Sequence, residues 1–288
     1  MKFIEKRKIW YTASLVIIVA GIVSLFIQGL NWGIDFAGGN LAQIQFTEKI
    51  ETSTLRADIS ELGYANTNIQ VSEDNVFILK TPLMDEAEQE LMLDKIKEKT
   101  GELEILRTEK VGPAVGKELQ RAGLISLAVA LILMLIYISI RFELRFAIAG
   151  IIALFHDIMV IVGFFSIFQI EVNSSFVAAI LTVFGYSIND TIVIFDRIRE
   201  NMKNSGKVKS KDLPELINSS LMQTMTRSIN TSLTTLIVLV ALFIFGGETT
   251  KDFVLALIVG IVNGAYSSIF TASPIWYDLK RKSELKNA

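Results

Sequence analysis

Phe176-Val-Ala-Ala-Ile-Leu-Thr-Val-Phe-Gly-Tyr-Ser-Ile-Asn-Asp-Thr-Ile-Val-Ile-Phe195 is a run of twenty residues with one charged side chain, Asp190. About twenty predominantly apolar residues are what an α-helix needs to cross a bilayer. A charge inside such a span costs about 2.5–3.5 kcal/mol on insertion scales, so an acid there is rare and belongs by default to a proton or ion pathway or to an ion pair. The stretch therefore places the chain in a membrane and singles out Asp190.

Outward from it, five more apolar runs have spanning length: Ile9 to Ile27, Leu124 to Ile140, Phe146 to Phe168, Ile229 to Phe245 with a start extended back toward Met222, and Phe253 to Ile275. Half of the 288 residues are hydrophobic and 20% are charged, with a mean hydropathy of +0.47. Charge on that scale is compatible with six spans only if it is segregated from them, and it is. Lys2, Lys6, Arg7 and Lys8 before the first run resemble the start of a secretory signal. The run is longer than a signal's apolar region, however, and no small-x-small cleavage pattern precedes Asn31, so an uncleaved helix is expected.

Lys and Arg concentrate on the cytoplasmic side of spans. With residues 1–30 as cytoplasmic N-terminus and first helix, the inside carries Arg141, Arg145, Arg197, Arg199, Lys203, Lys207, Lys209, Lys211, Arg227, Lys280, Arg281, Lys282 and Lys286. The short loops on the other side carry only Lys251. Residues 31–117 then form an extracytoplasmic domain, 118–276 hold helices two to six, and 277–288 are a cytoplasmic tail. The outer segment is acidic, with nine Lys and Arg against sixteen Asp and Glu, and the chain has no cysteine.

That segment reads strand (Leu41 to Phe46), helix (Ser53 to Leu62), strand (Asn68 to Val71), strand (Val76 to Lys80), helix (Glu86 to Thr100), strand (Leu103 to Val111). Asp85 with Glu88 has the form of a capping box, and Gly63 and Gly101 stand where helices end. Glu73-Asp74-Asn75 reads as a hairpin turn, and Ile44, Phe46, Val76 and Ile78 as inward strand positions. The βαββαβ order predicts a ferredoxin-like domain. The fold class is thus a polytopic α-helical membrane protein of six transmembrane helices with a ferredoxin-like α+β exterior domain between helices one and two. Glu86, Glu88, Glu90 and Asp94 read as a solvated face, and no metal site, nucleic-acid surface or nucleophile–base pair is legible, so an enzyme is not expected.

Polar residues recur within the spans. Thr182, Tyr186, Ser187 and Asp190 fall on one broad face with Asn189 at its margin, and Arg227, Thr231 and Thr234 share a face of the fifth helix, which also carries Asn230 and Thr235. Gly260, Asn263, Gly264 and Ser267 mark the sixth, and His156 and Asp157 lie mid-span in the third. Each stripe is expected to face the bundle interior. If the fourth helix ends at Phe195, Asp190 lies roughly 7–8 Å from its end. Arg227 enters from the same side, within reach either of Asp190 or of the headgroups.

Several motifs together resemble the SecF family: Gly33-Ile-Asp-Phe-Ala-Gly-Gly39, His156-Asp157, Glu171-Val-Asn173, Gly185-Tyr-Ser-Ile-Asn-Asp-Thr191 leading into Phe195-Asp-Arg-Ile-Arg-Glu-Asn201, and Arg227-Ser-Ile-Asn-Thr-Ser232. Their order and spacing span essentially the whole chain. SecF is the smaller subunit of the SecDF accessory complex of bacterial protein export, in the RND superfamily. The resemblance implies one six-helix half of a twelve-helix unit in the bacterial cytoplasmic membrane, partnered by SecD and working beside the SecYEG channel, with YajC and YidC as further partners. It implies that Asp190 and Arg227 are the ion-pathway pair and that His156, Asp157, Tyr186, Ser187, Asn189 and Asn263 are supporting intramembrane groups. Gly33, Asp35, Gly38 and Gly39 are then the family motif of the exterior segment. Protonation of Asp190 would release Arg227, repack the helices and move the exterior domain against an emerging polypeptide, with no cofactor beyond the coupling ion, H⁺ or Na⁺. Half of a small-molecule exporter and a non-transporting translocon scaffold are the competing readings.

Overall fold

The computed structural model describes residues 2–73, 75–206 and 212–287. Lys207, Lys209 and Lys211 of the basic connection, and Asp74 of the expected hairpin, lie outside the described residues. The chain runs through α1 (Arg7–Ile27), β1 (Asn31–Trp32), α2 (Ile34–Ala37), β2 (Gly39–Phe46), α3 (Thr52–Glu61), β3 (Asn68–Glu73), β4 (Val76–Thr81), α4 (Glu86–Thr100) and β5 (Leu103–Val111). It continues through α5 (Pro113–Arg141), α6 (Leu144–Ile167), β6 (Glu171–Val172), α7 (Ser174–Asn204), α8 (Leu213–Phe245) and α9 (Glu248–Ser267). A π-helical turn, Ser268–Ala272, then leads into α10 (Ser273–Asn287). Six of these helical segments are long and apolar enough to cross a membrane: α1, α5, α6, α7, α8 and the stretch Glu248–Lys282.

The expected α/β domain is present. Its four antiparallel strands lie in the order β3-β4-β2-β5, the ferredoxin-like arrangement. Ala42, Ile44 and Phe46 of β2 alternate inward onto Leu55 and Ile59 of α3 and Met92, Leu93 and Ile96 of α4. Register corrects one expectation. Phe77 lies opposite Ile44, and directly paired residues share a sheet face, so Phe77 and Leu79 of β4 face the helices. Val76 and Ile78 are buried too, on the opposite face; a strand apolar on both sides carries no phase in its sequence. Asp85 caps α4 by accepting from the Glu88 amide at 2.7 Å. Asn75, at φ 67°, anchors the β3–β4 turn, taking the Ile50 amide at 3.0 Å and donating to Phe46 O at 2.7 Å.

Two helix boundaries differ from the sequence reading. Pro113 takes the first position of α5 one residue after β5, so the second spanning helix begins five residues before the expected domain boundary. α7 runs on past Phe195 to Asn204 through charged residues that sustain a helix outside an apolar setting. Asp190 is therefore near the middle of α7, about 21 Å from its end at 1.5 Å per residue.

In the bundle, Gly21 of α1 and Gly163 of α6 meet so closely that a Cβ on either would lie 2.8 Å from the other's Cα. Ser24 and Ser166 join one turn further along at 2.7 Å. Small residues let spanning helices approach in this way. At the end away from the α/β domain, Arg7 pairs with Asp278 at 3.0 Å, so the first and last helices finish side by side. There Asn218 of α8 accepts the amides of Phe3 and Ile4 at 2.9 and 3.1 Å and donates to Glu5 at 2.9 Å, holding the segment before α1 against the bundle.

Candidate functional site: two intramembrane carboxylates

The polar residues of the spans gather around two acids in contrasting surroundings. Asp157 of α6 is fully buried. Its Oδ2 accepts from Ser187 Oγ of α7 at 2.6 Å and Ser267 Oγ of α9 at 2.9 Å, and its Oδ1 from Asn263 Nδ2 at 2.7 Å. His156 Nδ1 stands 3.2 Å from Oδ1, which selects the tautomer protonated at Nδ1; its Nε2 is buried without a partner. Gly264 makes the cluster geometrically accessible. A Cβ there would lie 3.1 Å from Ser187 Cβ, so only glycine lets α9 approach α7 without displacing the serine. Four donors on three helices thus surround one carboxylate. In a bilayer such groups have no water to turn to, so the cluster ties α6, α7 and α9 together.

Asp190 is half-buried and has a sparser shell. Ser228 Oγ of α8 donates to Oδ1 at 2.5 Å, Ser268 lies nearby as a looser hydroxyl neighbour, and Oδ2 is buried without a well-formed hydrogen bond among the described residues. Arg227 attracts it electrostatically, but among the described residues no ion pair within 4 Å joins the two, and Arg227 is exposed on the chain's surface. The neighbouring hydroxyl, not the guanidinium, touches the acid. One turn further along α8, Ser232 receives Tyr186 OH at 3.3 Å. Thr191 meets Ser268 at 2.8 Å.

Ser268 opens the π-helical turn. Ser273 Oγ reaches back to Ser268 O at 3.1 Å, and the widened turn presents consecutive serines to different neighbours. Ser267 serves Asp157 while Ser268 serves Thr191 beside Asp190. Such π turns recur at functional sites.

Of the residues singled out from sequence, His156, Asp157, Ser187 and Asn263 converge in one cluster, and Asp190 and Tyr186 lie on the α7–α8 seam. Asn189 is exposed. The expectation that every stripe faces the bundle interior does not hold: Thr182, Asn189, Arg227, Asn230, Thr231 and Thr234 are exposed on the isolated chain. Thr231 and Thr234 bind carbonyls of their own helix, which lowers their polarity without covering them. A polar stripe at membrane depth is rejected by lipid, so a surface outside this chain must cover it. Ser228 and Ser268 were missed. Each follows a residue already noted, and a straight 100° periodicity turns both away.

The exterior motif positions α7 from its other end. Asp35 Oδ2 accepts the Ser174 amide at 2.9 Å while Asn173 caps Phe176 N at 3.1 Å, so first-turn donors of α7 are satisfied from two directions. Gly33 lies against Glu171, where a Cβ would be 2.6 Å from Oε1. Gly38, at φ +81°, ends α2 in the left-handed region, and Gly39 opens β2 opposite Val111.

Residues 92–282 match the family "Protein export membrane protein SecD/SecF, C-terminal", and residues 23–50 match the SecD/SecF GG motif. The chain is 43% identical to the protein translocase subunit SecF of Sebaldella termitidis, over 98% of this chain and 92% of that one. It is also 43% identical to the protein translocase subunit SecDF of Bacillus subtilis, over 99% of this chain but 38% of that longer one. The crystal structure of SecDF from Thermus thermophilus, a translocon-associated membrane protein, superposes with a TM-score of 0.84 at 35% identity, covering 100% of this chain and 39% of that one.

Proposed function

The chain belongs to the SecD/SecF family of protein-export membrane proteins, and from that premise we propose that it is the SecF half of a proton-driven export motor in which Asp190 is the protonated switch. The carrying observation is the contrast between the two acids. Asp157 has four donors, whereas Asp190 has one well-formed hydroxyl bond, from Ser228, a looser hydroxyl neighbour in Ser268, and a second oxygen buried without a well-formed bond. A proton on Oδ2 would neutralise the charge that the bilayer penalises and supply that oxygen with a hydrogen to donate. Ser228 and Tyr186–Ser232 are the polar ties between α7 and α8 at this depth, so the protonation state of Asp190 acts first on the α7–α8 seam.

SecD covers the exposed stripe from Thr182 to Thr234. The fused relatives support this, since this chain spans about two fifths of their length. Arg227 then faces that seam as the counter-charge Asp190 meets when the halves move. The α/β domain lies outside and the basic ends of the helices lie in the cytoplasm, at a bacterial inner membrane, an orientation that the positive-inside rule supports. The membrane potential contributes about 2.3 kcal/mol per charge per 100 mV. The motor works on a polypeptide leaving SecYEG, with YajC and YidC as neighbours in the same assembly.

Asp190→Asn tests the reading in SecD-containing inverted vesicles. The variant assembles with SecD but loses the stimulation of late export by an imposed proton gradient. Full stimulation in the variant, or stimulation that follows a sodium gradient alone, overturns it.

A further inference from the structure

One buried ion pair lies outside the membrane site and joins the two parts of the molecule. Lys80, near the end of β4, places Nζ 2.7 Å from both carboxylate oxygens of Glu171. The two side chains are only 13% and 7% exposed. β4 is an interior strand, paired to β3 and β2, so the lysine is mounted on the rigid part of the α/β domain. Glu171 belongs to the α6–α7 connection, pairs across β1–β6 with Asn31, and precedes the cap of α7 by two residues. Asp252, in the first turns of α9, lies within the field of both Glu171 and Lys80. Glu248 beside it is paired with Lys251. The pair therefore spans the sheet and the connection that leads into α7.

A buried pair is poor evidence for stability, because desolvation offsets its attraction. It does fix register between the parts that carry it. Here those parts are the domain and the helix that bears Asp190, and the Asp35–Ser174 bond supplies a second tie to the same helix end. We infer that Lys80 and Glu171 are positioning residues that form the strut through which movement of α7 is passed to the α/β domain. The inference rests on the proton-driven reading above for what sets α7 in motion.

The chain has no cysteine, so spin labels can be placed singly at Glu98→Cys on α4 and Phe168→Cys at the end of α6, both exposed. The assembled complex with SecD is labelled in nanodiscs, and the same complex is assayed for gradient-stimulated export. Lys80→Met and Glu171→Gln each broaden the interlabel distance distribution and lower stimulated export by about tenfold, within the span expected of a coupling element. The double variant leaves neither member of the pair as an orphan charge, so it assembles even if a single variant does not, and it is no worse than either single because the pair acts as one unit. Unchanged distances and export, or losses that add in the double variant, overturn the strut. A wild type whose export ignores the proton gradient sinks the motor reading instead, and the distance measurement still decides the strut.

Discussion

Replacing Asp157 by alanine should loosen the bundle far more than replacing it by asparagine. In the alanine variant Ser187 Oγ, Asn263 Nδ2 and His156 Nδ1 lose their acceptor, while Ser267 keeps Gly264 O at 3.2 Å. Interhelical hydrogen bonds in membranes average about 0.6 kcal/mol and reach about 1.7, so losing the three that reach Asp157 from other helices, those of Ser187, Ser267 and Asn263, costs about 2–5 kcal/mol. Removing a buried carboxylate returns some desolvation free energy, which moves the result toward the lower figure. Asparagine keeps Oδ1 for Asn263 and His156, and the hydroxyls of Ser187 and Ser267 can rotate to accept from its amide. Its cost should stay near 1 kcal/mol. Reversible unfolding of the purified protein in mixed micelles, followed by tryptophan fluorescence, measures both. An alanine variant within about 0.5 kcal/mol of wild type, or an asparagine variant as damaged as alanine, would refute the view that the four donors hold three helices to one charge.

Gly163→Leu should separate α1 from α6, because even a Cβ there lies 2.8 Å from the opposing Cα; overpacking of this kind costs about 1–3 kcal/mol, read in the same unfolding assay. Asn218→Ala should free residues 2–6, seen as faster amide exchange there with the rest of the bundle unchanged. The same segment should respond to acid. Burial pushes the Glu5 carboxyl up, but the Asn218 amide, its own backbone N–H and Lys2 outweigh that and hold it below the usual carboxylate range. A depressed folded value stabilises above the ordinary pKa of about 4.3 and is lost as pH falls through the folded value, so exchange should quicken below about pH 4. In Asn218→Ala that acid response should shrink. A response of equal size in the variant would show that Asn218 is not what holds the acid.

Much of this architecture was legible because hydrophobic length and charge segregation are local properties. Six spans, the βαββαβ order, the caps at Asp85 and Gly101 and the intramembrane polar residues could be read from the chain itself. The rest depended on partners far apart in sequence. β1 and β6 are two residues each and exist only because they pair with each other. The phase of β4 was hidden by burial on both faces. Periodicity foretold Ser267 but not Ser268, since the π-helical turn breaks the period at that point. It also grouped Ser187 with Asp190, although the first serves α6 and α9 and the second α8. The hub at Asp157 outranks Asp190 in hydrogen bonding, a difference that one-dimensional spacing does not encode.

The β1–β6 pairing has a consequence for biogenesis. The α/β sheet closes on itself within residues 39–111, so it can fold as soon as β5 has emerged, whereas Asn31 and Trp32 must wait for Glu171 and Val172. At about 5–20 residues per second, the roughly sixty residues between β5 and β6 take about 3–12 s to synthesise. For that interval, while α5 and then α6 are made, the domain is a finished body joined to the chain through α1 and α5. Its seating on the bundle is therefore a late, post-insertion step timed by the arrival of α7.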